Sequence, residues 1–179
     1  MKGMISLIAV MSISAVLLLG QAPHALKPGP EHQKLSAFVG NWTFEGEAKA
    51  SPMGPAGKVT GTDRIQWLPG GFFLERRSEG KGPAGDMKAL EIMGYDSAKK
   101  VYTYSYFDSM GAAGSGTMTV SGNTWNATGT GRMGEKTLQE RCALTFASGS
   151  TSLDVKCEGS TDGKTWTPTF EGKATKTKT

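Results

Sequence analysis

The chain has 179 residues, 25 of them glycine, with 37% hydrophobic residues; that length suits one domain with its own core, and no long linker or low-complexity run marks a second. The formal net charge of +4 belongs to the ends: Lys2, Lys173, Lys176 and Lys178 are four of the 20 basic residues, and the other 16 balance 16 acidic ones. The body therefore has no basic groove of the kind that holds nucleic acid.

Met1-Lys2-Gly3-Met4 leads into an apolar stretch from Ile5 to Leu19, followed by Gly20-Gln21-Ala22-Pro23-His24-Ala25. One positive charge, roughly 15 apolar or small residues and a small-residue run describe a secretory signal peptide. A spanning helix needs about 20 residues. Residues 1–25 are thus expected to be a signal peptide, and the mature protein to be secreted or periplasmic without a stable membrane span. Residues 26–40 form a lead-in, in which Glu31 to Phe38 can make one or two helical turns stopped by Gly40.

From Asn41 onward apolar residues recur with period two. Strands are expected over 41–50, 58–68, 72–79, 87–95, 100–108, 116–121, 124–130, 135–147, 151–158 and 165–175, with glycine-rich loops at 80–86 and 109–115. A meander of short strands closes most simply on itself, which removes unpaired edges. The expected fold is all-β: a single antiparallel barrel of about ten strands over 41–176, its last strand pairing with its first, and the short helix capping one end.

Two hairpins can be registered from their turns. A turn centred on Pro69-Gly70 sets Trp67 opposite Phe72, Ile65 opposite Leu74 and Asp63 opposite Arg76 on one mostly apolar face. Asp63 and Arg76 are then either a solvated pair at the barrel mouth or a polar anchor inside a pocket, since an inward charge needs a partner. A turn centred on Gly149-Ser150 sets Cys142 opposite Cys157, with Leu144 opposite Val155 and Phe146 opposite Leu153. Two inward cysteines in an exported chain suggest a disulfide. A two-residue turn would put them at a hydrogen-bonded pair, where a cross-strand bond sits less comfortably.

The residues exclude several chemistries. There is no phosphate loop, Cys-x-x-Cys or Gly-x-Ser-x-Gly, and of the two histidines only His32 follows the signal. No cofactor or metal is expected, and a histidine-ligated haem least of all, because every strand lacks histidine. Glu45/Glu47 and Glu75/Glu79 read as solvated outer faces. Tyr102, Tyr104 and Tyr106 share one strand face, either lining a pocket or facing out.

Gly40-Asn41-Trp42 opening the first strand after a short helix resembles the lipocalin and wider calycin motif. That resemblance implies that Trp42 plugs one end of the barrel, with Lys173 as the basic residue packed over it. Longer blocks, Pro28-Gly29-Pro30-Glu31-His32, Ser51-Pro52-Met53-Gly54-Pro55, Trp67-Leu68-Pro69-Gly70-Gly71-Phe72-Phe73-Leu74, Met93-Gly94-Tyr95-Asp96, Thr165-Trp166-Thr167-Pro168 and Glu171-Gly172-Lys173-Ala174, resemble a bacterial exported family of unknown function. They imply a calycin-like barrel, with haem-binding nitrobindin-type barrels as more distant relatives. They imply no activity.

The expected function is a binding barrel for a small, largely apolar or amphipathic ligand, lined by Ile65, Trp67, Phe72, Leu74 and Tyr104 with Asp63 and Arg76 as polar anchors. The alternatives are an envelope or interaction protein with a filled barrel, and a hydrolase or isomerase using inward carboxylates and tyrosines. An interior cavity separates the first from the filled barrel. A carboxyl with a raised pKa inside it favours the enzyme.

Overall fold

The computed structural model describes residues 27–177, so the expected signal peptide lies outside the described residues. Pro30–Lys34 is a short helix, α1, extended by a 3-10 turn at Leu35–Ala37. Ten strands follow: β1 (Gly40–Ala48), β2 (Gly57–Trp67), β3 (Phe73–Gly82), β4 (Gly85–Asp96), β5 (Val101–Asp108), β6 (Ala112–Ser121), β7 (Thr124–Met133), β8 (Lys136–Phe146), β9 (Ser152–Ser160) and β10 (Thr167–Lys176). Each pairs antiparallel with its chain neighbours, and β1 also pairs with β10, setting Phe44 opposite Ala174; the sheet is a closed barrel. Closure leaves no strand edge unpaired. Among the described residues no helix is long and apolar enough to cross a membrane.

The two glycine-rich segments expected as loops are largely strand. β3 runs on to Gly82 and β4 starts at Gly85, leaving a two-residue turn, and β6 starts at Ala112. Gly80 and Gly114 in these segments, like several strand glycines outside them, make room for rings. Phe44 occupies the space a Cβ on Gly61 or Gly80 would need, and Phe170 lies over Gly46 and Gly172. Across the barrel Tyr104 lies over Gly116 and Gly129, and Tyr106 over Gly114 and Gly131. Glycine in a strand interior marks such a close approach, and a neighbouring aromatic restores the buried surface it lacks.

The β2–β3 register differs from expectation by two residues: Trp67 faces Leu74, Ile65 faces Arg76 and Asp63 faces Ser78. The turn is longer than Pro69-Gly70 alone. Leu68 O accepts from Gly71 N at 3.1 Å, and Leu68 N–H donates to Phe73 O at 2.9 Å. Pro69 precedes Gly70, whose φ of +94° suits the third position of a type II turn. Because the slip is even, no side chain changes face.

Cys142 and Cys157 are directly opposite and joined, with Cα atoms 4.1 Å apart. Here the expectation of a hydrogen-bonded pair is corrected. Ala147 N–H donates to Ser152 O at 2.9 Å, so the closing pair bounds a four-residue loop. Counting back by alternation puts the cysteines at a non-hydrogen-bonded pair, where strands approach most closely.

The glycine shelves can be tested singly. A methyl on Gly116 would meet the Tyr104 hydroxyl at 2.6 Å and the Gly129 Cα at 2.7 Å, whereas one on Gly29 meets nothing within 4 Å. Gly116→Ala should cost about 1–3 kcal/mol in urea denaturation, and Gly29→Ala should stay within about 0.5 kcal/mol. Equal effects would remove the packing role assigned to the rings.

Candidate functional site

One end of the barrel is sealed. The turn after α1 drops Leu35 and Phe38 into it, both buried, and Phe38 packs edge-on against Trp125 at 4.9 Å and Phe146 at 5.0 Å. Trp42 donates its indole N–H to Phe38 O at 2.8 Å. The Tyr102 hydroxyl donates to Glu31 Oε2 at 2.7 Å, tying the helix to β5. His32 packs edge-on against Phe72 and Tyr95 at this same end.

The basic residue over Trp42 is Lys176, with Nζ 4.8 Å from the indole centroid, and not Lys173. Period two along β10 explains the correction. Phe170, Gly172, Ala174 and Lys176 share the inner parity, whereas Lys173 lies opposite Glu45 and Asp154 on the exposed face.

Above this seal lies a cavity of about 320 Å³. Its walls are mainly Phe44, Val59, Ile65, Met87, Met93, Met118, Leu144, Leu153, Val155 and Phe170, with one polar cluster. In that cluster Arg76 donates from one terminal nitrogen to Asp63 Oδ2 and from the other to Glu91 Oε2, both at 3.0 Å. Ser78 donates to Asp63 Oδ1 at 2.6 Å. Asp63 is 6% exposed, while 35% of the Arg76 side chain is accessible, on a wall of the cavity. Burial alone would lower the Arg76 pKa, but the two carboxylates more than offset it and hold the guanidinium charged. Its Nε is buried without a hydrogen-bond partner among the described residues.

The Tyr102/Tyr104/Tyr106 stripe faces inward. Tyr102 belongs to the sealed end, and the other two lie against the wall over their glycines. Burial, then the Glu140 and Glu91 charges, push Tyr104 up to about 12; burial and Glu140 raise Tyr106 as well. Glu140 lines a second cavity, about 340 Å³, at the opposite end, with Met53, Met87, Met110, Leu138 and Phe170. Burial raises its pKa, and no partner among the described residues counters that.

Residues 27–176 match the profile of a family described as protein of unknown function (DUF1579). The chain belongs to the DUF1579 family. No curated protein sequence matches it. The crystal structure of Rv2717c from M. tuberculosis is similar with a TM-score of 0.61 at 12% identity, covering 84% of this chain and 99% of that one. At that identity the likeness shows the barrel fold alone. A de novo designed fluorescence-activating β-barrel gives a TM-score of 0.44 at 16% identity, covering 79% of this chain and 95% of the design.

Within this DUF1579 barrel, Asp63, Ile65 and Arg76 of the expected lining residues meet at the 320 Å³ cavity above the seal. Leu74 is fully buried in the core, Trp67 packs against that core, and Phe72 lies in the turn against His32. The reason is positional: the β2–β3 turn is at the sealed end, so residues nearest it fill the seal. Tyr104 lies on the glycine shelf and outside the cavity wall. Sequence reasoning passed over Ser78, Glu91 and Glu140. Each sits at an inward position of a period-two strand, Glu91 between Ala89 and Met93 and Glu140 between Leu138 and Cys142. A lone acid on an apolar face was the available signal.

The raised Glu140 pKa has a signed consequence. The folded chain keeps this proton to higher pH than the unfolded chain, so stability is full below the ordinary carboxylate range and falls as pH rises through the raised value. Glu140→Gln should therefore melt above the wild type at pH 7, and the difference should vanish at about pH 3, below the ordinary Glu value of about 4.3. A variant that melts lower at pH 7 would contradict this.

Proposed function

We propose that this chain is an exported binding protein for a small, largely apolar molecule, held in the 320 Å³ cavity and oriented by the Asp63–Arg76–Glu91 cluster. The carrying observation is unfilled apolar volume beside a buried ion cluster. An engineered apolar cavity of about 150 Å³ already admits benzene, and ligand pockets begin at about 300 Å³. The cluster is a poor stability device, because replacing buried ion pairs with packed apolar residues is often neutral or stabilising by about 1–4 kcal/mol. Its place in the wall of a hollow favours recognition. The same volume counts against a filled envelope barrel. Export rests on the Cys142–Cys157 bond, since disulfides persist in oxidising compartments, and on the signal-like first 25 residues.

A second reading, an enzyme of the hydrolase or isomerase kind, draws on one observation, the raised carboxyl of Glu140. It would serve as a general acid, but no nucleophile or second acid is hydrogen-bonded to it among the described residues.

The neutral fluorophore N-phenyl-1-naphthylamine tests the binding reading. It should give a saturable one-to-one enhancement, weakened at least about tenfold in Val155→Trp or Met118→Trp, each of which fills the cavity. No saturable enhancement, or undiminished binding in both folded variants, would overturn the proposal.

A further inference from the structure

We infer that the molecule held by this barrel is an amine: an apolar body carrying one ammonium group, which Glu140 accepts beside the Tyr104 and Tyr106 rings while the body fills the cavity behind. This rests on the binding function proposed above and adds the chemical class of the ligand.

Charge balance inside the barrel comes first. The waist and mouth present the carboxylates of Asp63, Glu91 and Glu140, with Asp108 on the same strand face as Tyr106, against one inward guanidinium, Arg76. Arg76 is already held by two of them, each 3.0 Å from a terminal nitrogen. An anion brought to Arg76 would lie against both carboxylates, and like charges in a desolvated site repel strongly. Lys49 and Lys81 stand at the rim of the mouth cavity, but both are exposed, so solvent and salt screen them.

The free valences come second. Glu140 has no ion-pair or hydrogen-bond partner among the described residues, nor do the hydroxyls of Tyr104 and Tyr106. The three are neighbours. The Tyr106 hydroxyl overhangs Gly131, and Glu140 Oε2 is 3.8 Å from where a Cβ on that glycine would stand. The Tyr104 hydroxyl overhangs Gly129, which lies directly opposite Glu140 across β7 and β8. Three acceptor groups on one wall match an ammonium, which has three donors and no acceptor. Two phenol rings add a cation–π attraction.

Continuity of space comes third. The mouth cavity at Glu140 and the apolar cavity above the seal share Val59, Met87 and Phe170 as walls. A molecule with its head at Glu140 therefore has apolar volume directly behind it. The methionines around the entrance, Met53, Met87 and Met110, are adaptable enough to close over different bodies.

Three probes with one body and different heads separate the possibilities: n-octylamine, n-octanol and octanoate, titrated calorimetrically into the folded protein at pH 7. The amine should bind at least about tenfold tighter than the alcohol, and octanoate weaker than the alcohol. Glu140→Gln should shrink the amine's advantage to within about threefold, while Glu47→Gln, which removes an exposed outer-face carboxylate, should leave it intact. Octanoate binding as tightly as the amine, equal binding of amine and alcohol, or an advantage that survives Glu140→Gln would overturn the amine assignment alone. If none of the three binds, the cavity-binding function falls with it.

Discussion

Aromatic rings lying flat on glycine keep the middle of this barrel open. Eight strands give an interior just wide enough for side chains to fill; ten strands enclose more. A large ring on an ordinary strand would project toward the axis and take up that width. Phe44, Phe170, Tyr104 and Tyr106 instead press against glycines of their own strand or of strands one and two places away. They cover the backbone, satisfy the need for buried apolar surface, and leave a hollow. The sealed end shows the contrast: there Phe38, Trp42, Trp125 and Phe146 pack edge-on and tilted against one another and fill the cross-section.

Within that hollow, low polarity sharpens every charge. The Arg76 guanidinium is acceptable because Asp63 and Glu91 flank it and Ser78 completes Asp63. Glu140 has no such support, which is why its carboxyl holds its proton to higher pH. The two sites therefore differ in kind. One is closed and serves as a fixed dipolar wall; the other is open and has bonding capacity to spare.

Much of this was legible in the residues, and the exceptions have physical causes. Alternation along the chain set the strand count and the inward parity of Trp42, Asp63, Ile65, Arg76 and Cys142. Even the misregistered β2–β3 hairpin kept its faces, because a slip of two preserves parity. Asp63 and Arg76 still meet, diagonally instead of directly. Turn length was the hidden variable in both hairpins, since local sequence does not say how many residues leave the ladder. Gly80 and Gly114 misled because glycine is punctuation in a loop and clearance in a strand, and only the ring across the sheet distinguishes the two. Lys176 replaced Lys173 at Trp42 for want of a parity check on β10. Glu91 and Glu140 were hidden by habit: acids on strands usually face water, and here the neighbouring parity outweighs the habit.

The hollow itself is the claim from which the functional reading follows, and crystals pressurised with xenon measure it directly. Xenon settles in apolar voids that side chains leave empty. The account predicts xenon density among Ile65, Met93, Leu144 and Val155, inside the cavity wall, with Phe44 and Phe170 still flat over their glycines. An interior free of xenon, with those rings swung in to meet at the axis, would contradict it.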